Sequence, residues 1–181
     1  MQVKKIAIIG PESTGKSTLC TLLAKHFNST YCLEYAREYL NKNGKNYTVE
    51  DLLNIAKGQI DLENAALEVA KENTSLYLFV DTDLYVIKVW SEYVFSTCHP
   101  FILEQIATRK YDAYLLCNID LPWVKDGLRE YPEEQPRKEL FNIYKDILIN
   151  QNTPFTIISG NYAQRFEYAI NFIETTLNPV F

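Results

Sequence analysis

Residues 10–17 read Gly-Pro-Glu-Ser-Thr-Gly-Lys-Ser and have the spacing of a phosphate-binding loop. Glycine at Gly10 and Gly15 lets the backbone curl around an anion without side-chain clash, with its N–H groups aimed at phosphate oxygens. Lys16 is then placed to reach the outer phosphates, and the Ser17 hydroxyl to ligate Mg²⁺. The other residues predicted to line this nucleotide site are Glu12, Ser13, Thr14 and Thr18. An apolar run before the loop and a helical stretch after it strengthen the prediction of nucleoside triphosphate binding.

A carboxylate and an arginine follow the second apolar run of the chain. The sequence Glu34-Tyr35-Ala36-Arg37 places the acid at the end of a strand and Arg37 three residues later on a helical turn, where both could face one ligand. A kinase acting on a hydroxyl needs a positioned carboxylate to accept the proton, which contributes roughly 10²- to 10⁴-fold in rate. A helix-capping acid beside a solvated arginine fits the same spacing equally well, so the role of Glu34 stays open here.

Two more carboxylates, Asp81 and Asp83, follow the third apolar run. An acid at the end of a buried strand beside the phosphate-loop strand is where the water shell of Mg²⁺ is usually held, so Asp81 is predicted to share a metal site with Ser17. Asp83 has two candidate roles. It acts on the acceptor, either as a binding contact or as the base in place of Glu34, or it is the N-cap of a helix that begins at Leu84.

Residues 118–137 are rich in proline and charge, and they predict one long loop between the fourth strand and the next helix. Loops of this length in compact domains are often lids. An arginine delivered by a closing lid can neutralise charge on the transferring phosphoryl group, an effect of about 10³-fold or more. Arg129 is the candidate, with Arg137 behind it, and Trp123 offers a flat face for a heterocyclic ring.

The last strand is followed by Ser159-Gly160-Asn161-Tyr162 and then Arg165. Gly160 would let the backbone approach an adenine ring closely, and Tyr162 would border the same ring. A plain strand-to-helix turn explains these residues nearly as well.

The elements that must position these groups alternate along the chain. Five apolar runs bounded by turns predict buried parallel strands over residues 3–9, 31–33, 76–80, 113–117 and 155–158. Helical periodicity fills the gaps; the longest helix is expected to begin after Thr48, with Asp51 completing its cap and one apolar stripe packing on the sheet. The pattern predicts a doubly wound α/β domain with a five-stranded parallel sheet, helices on both faces, and ligands at the carboxyl ends of the strands.

The 181 residues are expected to form one domain with a single active site. A formal charge of −5 argues against a nucleic-acid partner or an anionic membrane surface, and no apolar run approaches membrane-spanning length. We therefore expect a soluble cytoplasmic protein; the oligomeric state, including a homo-oligomer, is left open. The four cysteines show neither Cys-x-x-Cys spacing nor partnering histidines, so a zinc site has no support.

Taken together, the segments GPESTGKST, EYAREY, VDTD, DLPWVKDGLR and SGNYAQR resemble the ribosylnicotinamide kinase domain of bacterial NAD-salvage proteins, over residues 1 to about 170. The resemblance implies a P-loop NTPase with a deoxynucleoside-kinase-like fold and magnesium-ATP as donor. It also implies transfer of the γ-phosphate to the 5′-hydroxyl of nicotinamide riboside, which gives nicotinamide mononucleotide.

The sequence departs from the family pattern in two respects. Better-known members carry an adenylyltransferase domain ahead of the kinase, sometimes with a DNA-binding helix-turn-helix, whereas this sequence begins at the first kinase strand; we expect it to perform only the phosphorylation. Family members often have a tryptophan before the glutamate of EYAREY that stacks on nicotinamide, and this chain has Leu33 there. Tyr35, Trp90 and Trp123 are the candidates to replace that stack.

Two other functions remain open on the sequence alone. One is a kinase for another nucleoside or nucleotide, and the other is an ATP-binding regulatory ATPase that signals to a partner. A GTPase is disfavoured because Asn118-Ile119-Asp120 lacks the lysine and the spacing of a guanine-reading Asn-Lys-x-Asp segment.

Overall fold

The computed structural model describes residues 2–177. Within them five strands alternate with seven helices. The strands are β1 (Lys4–Ile9), β2 (Thr30–Cys32), β3 (Tyr77–Asp81), β4 (Ala113–Cys117) and β5 (Phe155–Ile158). The helices are α1 (Lys16–His26), α2 (Tyr35–Asn43), α3 (Val49–Glu72), α4 (Leu84–Phe95), α5 (Pro100–Thr108), α6 (Glu134–Ile149) and α7 (Tyr162–Leu177).

All five strands join one parallel sheet in the order β2-β3-β1-β4-β5. β1 therefore lies at the centre, where Ile6 is in register with Phe79 of β3 and with Ala113 of β4. The predicted fold class is confirmed, and β4 and β5 have the predicted bounds. Because the carboxyl ends of parallel strands meet at one edge of the sheet, the segments after all five strands converge there.

The two faces of the sheet are covered by different helices. Ile6 and Ile8 of β1 pack with α1 and α7 on one face, while Ala7 and Ile9 point to the other face and pack with α6. All four are fully buried. Burial on both sides explains why the central strands are near-continuous apolar runs.

The long helix α3 begins as predicted but packs differently. Thr48 Oγ1 accepts from the Asp51 backbone N–H at 3.3 Å, and Asp51 Oδ2 accepts from the Thr48 N–H at 2.8 Å, so the expected cap is confirmed. The prediction that the whole apolar stripe packs on the sheet is wrong. Its first half, including Leu52 and Ala56, packs on α2 and α4, and only its second half reaches the sheet, around Ala70.

The same helix fixes the turn that follows β2. Gln59, which is 1 % exposed, accepts from the Tyr35 backbone N–H at 2.8 Å and donates to the Leu33 carbonyl at 3.2 Å. The Tyr35 ring lies directly over Gly58, where an added Cβ would overlap it. These contacts bracket Glu34 from both sides and hold it at the end of the strand.

The loop after β4 is shorter than predicted. α6 begins at Glu134, so the last part of the expected 118–137 loop is helical. Arg137 lies in that helix and is buried, with Nε donating to the Glu133 carbonyl. It is therefore a helix residue and not a second arginine on the loop. Within residues 2–177, no helix has the length and apolarity needed to cross a membrane.

Gly58→Ala is expected to destabilise the protein by about 1–3 kcal/mol, because the methyl group must displace the Tyr35 ring. This is opposite in sign to the gain of about 1 kcal/mol that the same change gives in an unobstructed helix. Urea unfolding measures the change. In a Tyr35→Ala background the loss should shrink, and an equal loss in both backgrounds would contradict the packing account.

Candidate active site

The phosphate loop connects β1 to α1. Gly10 has φ +140° and lies against β4, where an added Cβ would sit 2.6 Å from the Cys117 carbonyl oxygen. Gly15 adopts the left-handed region at φ +78° just before α1. The loop therefore needs glycine at both predicted positions, and its backbone forms the predicted concave turn at a helix N-terminus, which is an arrangement that binds anions.

A buried arginine ties the phosphate loop to its neighbours. Arg165 is 2 % exposed, and its guanidinium donates to the carbonyls of Thr14, Asn118 and Gly160 at 3.0, 3.0 and 2.8 Å. It also pairs with Asp120, which in turn accepts from the Gly160 N–H at 2.6 Å. Three segments that are distant in sequence are thus fixed around one charge.

The turn at Gly160 lies beside the phosphate loop. Tyr162 is 54 % exposed, and its ring lies against Gly15, where it lines the same cavity as the loop. The structure thus brings Gly160 and Tyr162 to the edge of the phosphate site, where the sequence predicted an adenine contact.

Lys16, Ser17 and Asp81 lie together at the base of this site. Lys16 Nζ donates to the Pro11 carbonyl at 2.8 Å. Both carboxylate oxygens of Asp81 are buried without a hydrogen-bond partner among the described residues. Burial and, to a smaller extent, the Glu34 carboxylate raise the pKa of Asp81, while Lys16 and the Ser17 hydroxyl oppose the shift, and the net result is a pKa of about 6.

This arrangement fits Mg²⁺. A buried carboxylate with free oxygens beside a serine hydroxyl is an unsatisfied oxygen donor set. Mg²⁺ is typically held by one or two protein groups, with phosphate oxygens and waters completing its shell. The part of the chain that the structure describes contains no group of three or more His, Cys, Asp or Glu side chains that could hold a metal ion.

Glu34 lies where two cavities meet. The first cavity, which we call the lid cavity, has a volume of about 370 Å³ and is lined by the phosphate loop and the loop after β4. The second, the α2–α3 groove, has a volume of about 990 Å³ and is lined by Ser17, Asp81, Leu33 and residues of α2 and α3. Glu34 lines both, and among residues 2–177 no donor hydrogen-bonds to its carboxylate. Its oxygens are free to accept a proton or a hydrogen bond from a ligand.

Of the roles predicted for Asp83, the structure shows the helix cap. It is the N-cap of α4, with Oδ1 accepting from the Tyr85 N–H at 3.0 Å and Oδ2 from the Tyr114 hydroxyl at 3.1 Å. Complete burial raises its pKa to about 7. It lines neither the lid cavity nor the groove. The structure therefore places Asp83 away from both cavities.

The loop after β4 is docked on the phosphate loop. Glu12, which was predicted to line the phosphate site, lines the lid cavity together with the phosphate loop, and its carboxylate accepts from the Trp123 indole at 2.9 Å and from the backbone N–H groups of Glu130 and Tyr131 at 2.9 and 2.8 Å. Ser13 Oγ accepts from the Val124 N–H at 2.9 Å. We call residues 122–131 the lid.

Further contacts place the two lid residues that were predicted to act on ligands. Arg129 donates to the Val124 carbonyl and lines the lid cavity. The Trp123 indole donates to Glu12, and Trp123 lines neither cavity. Arg37, predicted to face a ligand beside Glu34, lines both cavities and pairs with Asp126 of the lid at 2.9 Å.

The three aromatic residues predicted to stack on an acceptor ring lie apart. Tyr35 packs on Gly58 and lines neither cavity. Trp90 lines the lid cavity, and its indole donates to the Tyr47 hydroxyl at 2.9 Å, which donates to Glu130 at 2.8 Å. Tyr47 could not be predicted from the sequence, because no spacing rule links it to α4 or to the lid.

Residues 5–165 match a protein family described as an AAA domain, AAA_28. The chain belongs to this AAA domain family. It is also similar to the trifunctional NAD biosynthesis/regulator protein NadR of Escherichia coli strain K12, at 31 % identity over 176 residues, and to that of Salmonella typhimurium, at 30 % over 177 residues. These alignments cover 94 % and 95 % of this chain but 42 % of each relative, so the chain spans less than half of the length of these curated relatives.

Solved structures share the fold of this AAA domain family member. A crystal structure of NadR protein in complex with NR has a TM-score of 0.79 at 22 % identity and covers 98 % of this chain and 51 % of that one. Thymidylate kinase from Candida albicans has a TM-score of 0.69 at 16 % identity and covers 99 % and 94 % of the two chains. At these identities the likeness concerns the fold, which is the P-loop fold that the sequence predicts.

Asp83→Asn is expected to make the stability of the protein less sensitive to pH. The folded-state pKa of Asp83 is raised, so its contribution to folding is complete below about pH 4 and is lost as pH rises towards about 7. The free energy of unfolding of Asp83→Asn should therefore rise relative to that of the wild type by about 1 kcal/mol per pH unit across that window.

Urea unfolding at several pH values between 4 and 8 measures this difference. Asp61→Asn, which neutralises an exposed acid on α3, is the matched control. Parallel stability curves for the wild type and Asp83→Asn would show that the buried carboxyl does not carry the effect.

Proposed function

We propose that this protein is an ATP-dependent kinase that transfers the γ-phosphate to the 5′-hydroxyl of nicotinamide riboside. The observation that carries the proposal is the free carboxylate of Glu34 at the junction of the phosphate-loop cavity and the α2–α3 groove. A donor and an acceptor bound on either side of that carboxylate would meet there. The similarity to the NadR proteins, whose name includes NAD biosynthesis, supports a substrate from NAD metabolism.

The donor half of the reaction uses the phosphate loop. The loop N–H groups hold the phosphates, Lys16 reaches the outer ones, and Tyr162 borders the base. Ser17 and Asp81 would hold Mg²⁺, which supplies neutralising charge for the phosphates when bound. The free oxygens of Asp81 support this assignment.

The acceptor half uses the α2–α3 groove. Leu33, which stands where related kinases often have a tryptophan, is 54 % exposed and lines this groove with Tyr31, Leu62 and Ala65. The carboxylate of Glu38 lies in the same lining. A cationic pyridinium ring would pack on these apolar side chains, and the nearby carboxylate would favour its charge.

Phosphoryl transfer then proceeds in line. The 5′-hydroxyl gives its proton to Glu34, its oxygen forms the new bond to the γ-phosphorus, and the bond to the β-phosphate oxygen breaks to release ADP. Lys16 and Arg129 neutralise charge on the transferring group, and Arg37 lies beside Glu34 to orient the acceptor. Positioning and charge neutralisation supply most of the catalysis.

A kinase for another nucleoside or nucleotide is the second candidate, and the lining of the groove favours it. None of the three aromatic candidates for the ring stack lines the groove, and Tyr31 is the only aromatic residue in the part of its lining that the structure describes. Arg37 and Lys42 in the same lining would suit an acceptor that already carries phosphate.

The test is coupled ADP release from magnesium-ATP with nicotinamide riboside, with a panel of other nucleosides and nucleotides, and without acceptor. Stimulation by nicotinamide riboside above all others is the expected result. Stimulation by a different acceptor alone would replace the substrate, and acceptor-independent hydrolysis would favour a regulatory ATPase.

Lys16→Ala is expected to abolish turnover, because the outer phosphates lose their only cation from the phosphate loop. The circular dichroism spectrum and the melting temperature should stay near those of the wild type. Turnover of more than a tenth of the wild-type rate would refute the assigned role.

Glu34→Gln is expected to lower kcat by roughly 10²- to 10⁴-fold while ATP affinity stays unchanged, because the amide cannot accept the hydroxyl proton. Asp83→Asn makes the same carboxylate-to-amide change two residues after Asp81 and should keep near-normal turnover. Steady-state kinetics and ATP titration measure both. The opposite pattern would make Asp83 the base.

A further inference from the structure

We propose that Glu12 is a positioning residue that latches the lid to the phosphate loop and thereby places Arg129 at the transferring phosphate. Glu12 lies inside the loop, yet its side chain faces the lid. The turnover part of this inference rests on the proposed kinase function, whereas the latch itself does not.

The carboxylate of Glu12 joins both ends of the lid. Oε1 accepts from the Trp123 indole at 2.9 Å and from the Tyr131 N–H at 2.8 Å, and Oε2 accepts from the Glu130 N–H at 2.9 Å. Three donors on one carboxylate, two of them backbone groups, hold the lid more firmly than a single surface ion pair. Arg129 lies between the two latched ends.

The neighbouring residue adds a fourth contact of the same kind. Ser13 has φ +58°, and its hydroxyl accepts from the Val124 N–H at 2.9 Å. Two consecutive residues thus use their backbone to form the phosphate cradle and their side chains to hold the lid. Any rearrangement of the cradle around phosphate is transmitted directly to the lid.

Electrostatics also favours a lid role for Glu12 over contact with the nucleotide. A carboxylate turned towards triphosphate oxygens would repel them, whereas the three N–H donors of the lid satisfy its charge. The other contacts of the lid, Arg37 with Asp126 and Tyr47 with Glu130, each include one exposed side chain, and they reach α2 and the segment before α3. The described contacts of Glu12 and Ser13, by contrast, join the lid to the phosphate loop itself, mostly from lid backbone N–H groups to the two side chains.

The latch is tested without substrate by tryptic cleavage at Lys125, which is exposed within the lid, and by Trp123 emission in a Trp90→Phe background, where Trp123 is the remaining tryptophan. Glu12→Ala should speed cleavage at Lys125 by about tenfold or more, because local opening governs proteolysis, and should shift Trp123 emission to longer wavelength. Glu12→Gln should lie between, because its amide can accept two of the three bonds. Glu133→Gln, the same charge change just after the lid, should match the wild type.

In turnover assays, Glu12→Ala should lower kcat by about 10- to 100-fold, with less than a threefold change in ATP dissociation constant. Unchanged cleavage and emission in both Glu12 variants would overturn the latch. Loss of ATP binding equal to the loss of kcat would instead make Glu12 part of the phosphate cradle. If Glu12→Ala does not fold, Trp123→Phe, which removes one of the three bonds, should still speed Lys125 cleavage, and no change there also overturns the proposal.

If the protein phosphorylates no acceptor, the cleavage and emission measurements still decide whether Glu12 holds the lid. Failure of the kinase function and failure of the latch are therefore separate results.

Discussion

The nucleotide site depends on the hydrogen bonds and the ion pair of the buried Arg165 guanidinium. It satisfies three backbone carbonyls and one carboxylate from three segments that the sheet brings to one edge. A guanidinium in such a place is stable only when its donors are paired, and removing it would leave Asp120 and three carbonyls without their partner. The phosphate loop, the segment after β4 and the turn after β5 therefore keep their relative positions as one unit.

Local pattern was enough to predict the sheet, its strands and the phosphate loop. Apolar runs of strand length, glycines at Gly10 and Gly15, and the Thr48 cap each act within a few residues, where spacing determines geometry. The contacts that place Glu34 and the phosphate loop join residues about 25 to 150 positions apart, as Gln59 to Tyr35 and Arg165 to Thr14 show. No periodicity links such positions, so the fold had to bring them together before they could be recognised.

The three carboxylates of the site share one chemistry and differ in surroundings. Asp81 is buried with free oxygens, Asp83 is buried with both oxygens bonded, and Glu34 is partly exposed between two cavities. The sequence placed all three at strand ends and assigned Asp81 to the metal, but it left open whether Asp83 is a base or a helix cap, because the difference lies in partners from α4 and β4. Glu12 illustrates the same limit, since the carboxylate of this phosphate-motif residue accepts three hydrogen bonds from the lid.

The hydrogen bonds of Gln59 to Leu33 and Tyr35 make the position of Glu34 depend on α3, whereas the position of the phosphate loop depends on β1. Glu34 sits at the end of a three-residue edge strand and takes its position from α3, which also forms one wall of the groove. A change in α3 that reshapes that wall therefore moves the carboxylate with it, while the phosphate loop, anchored to the central strand, stays in place. Sequence changes confined to one helix can therefore alter which molecule fits the groove while the phosphate loop keeps its geometry.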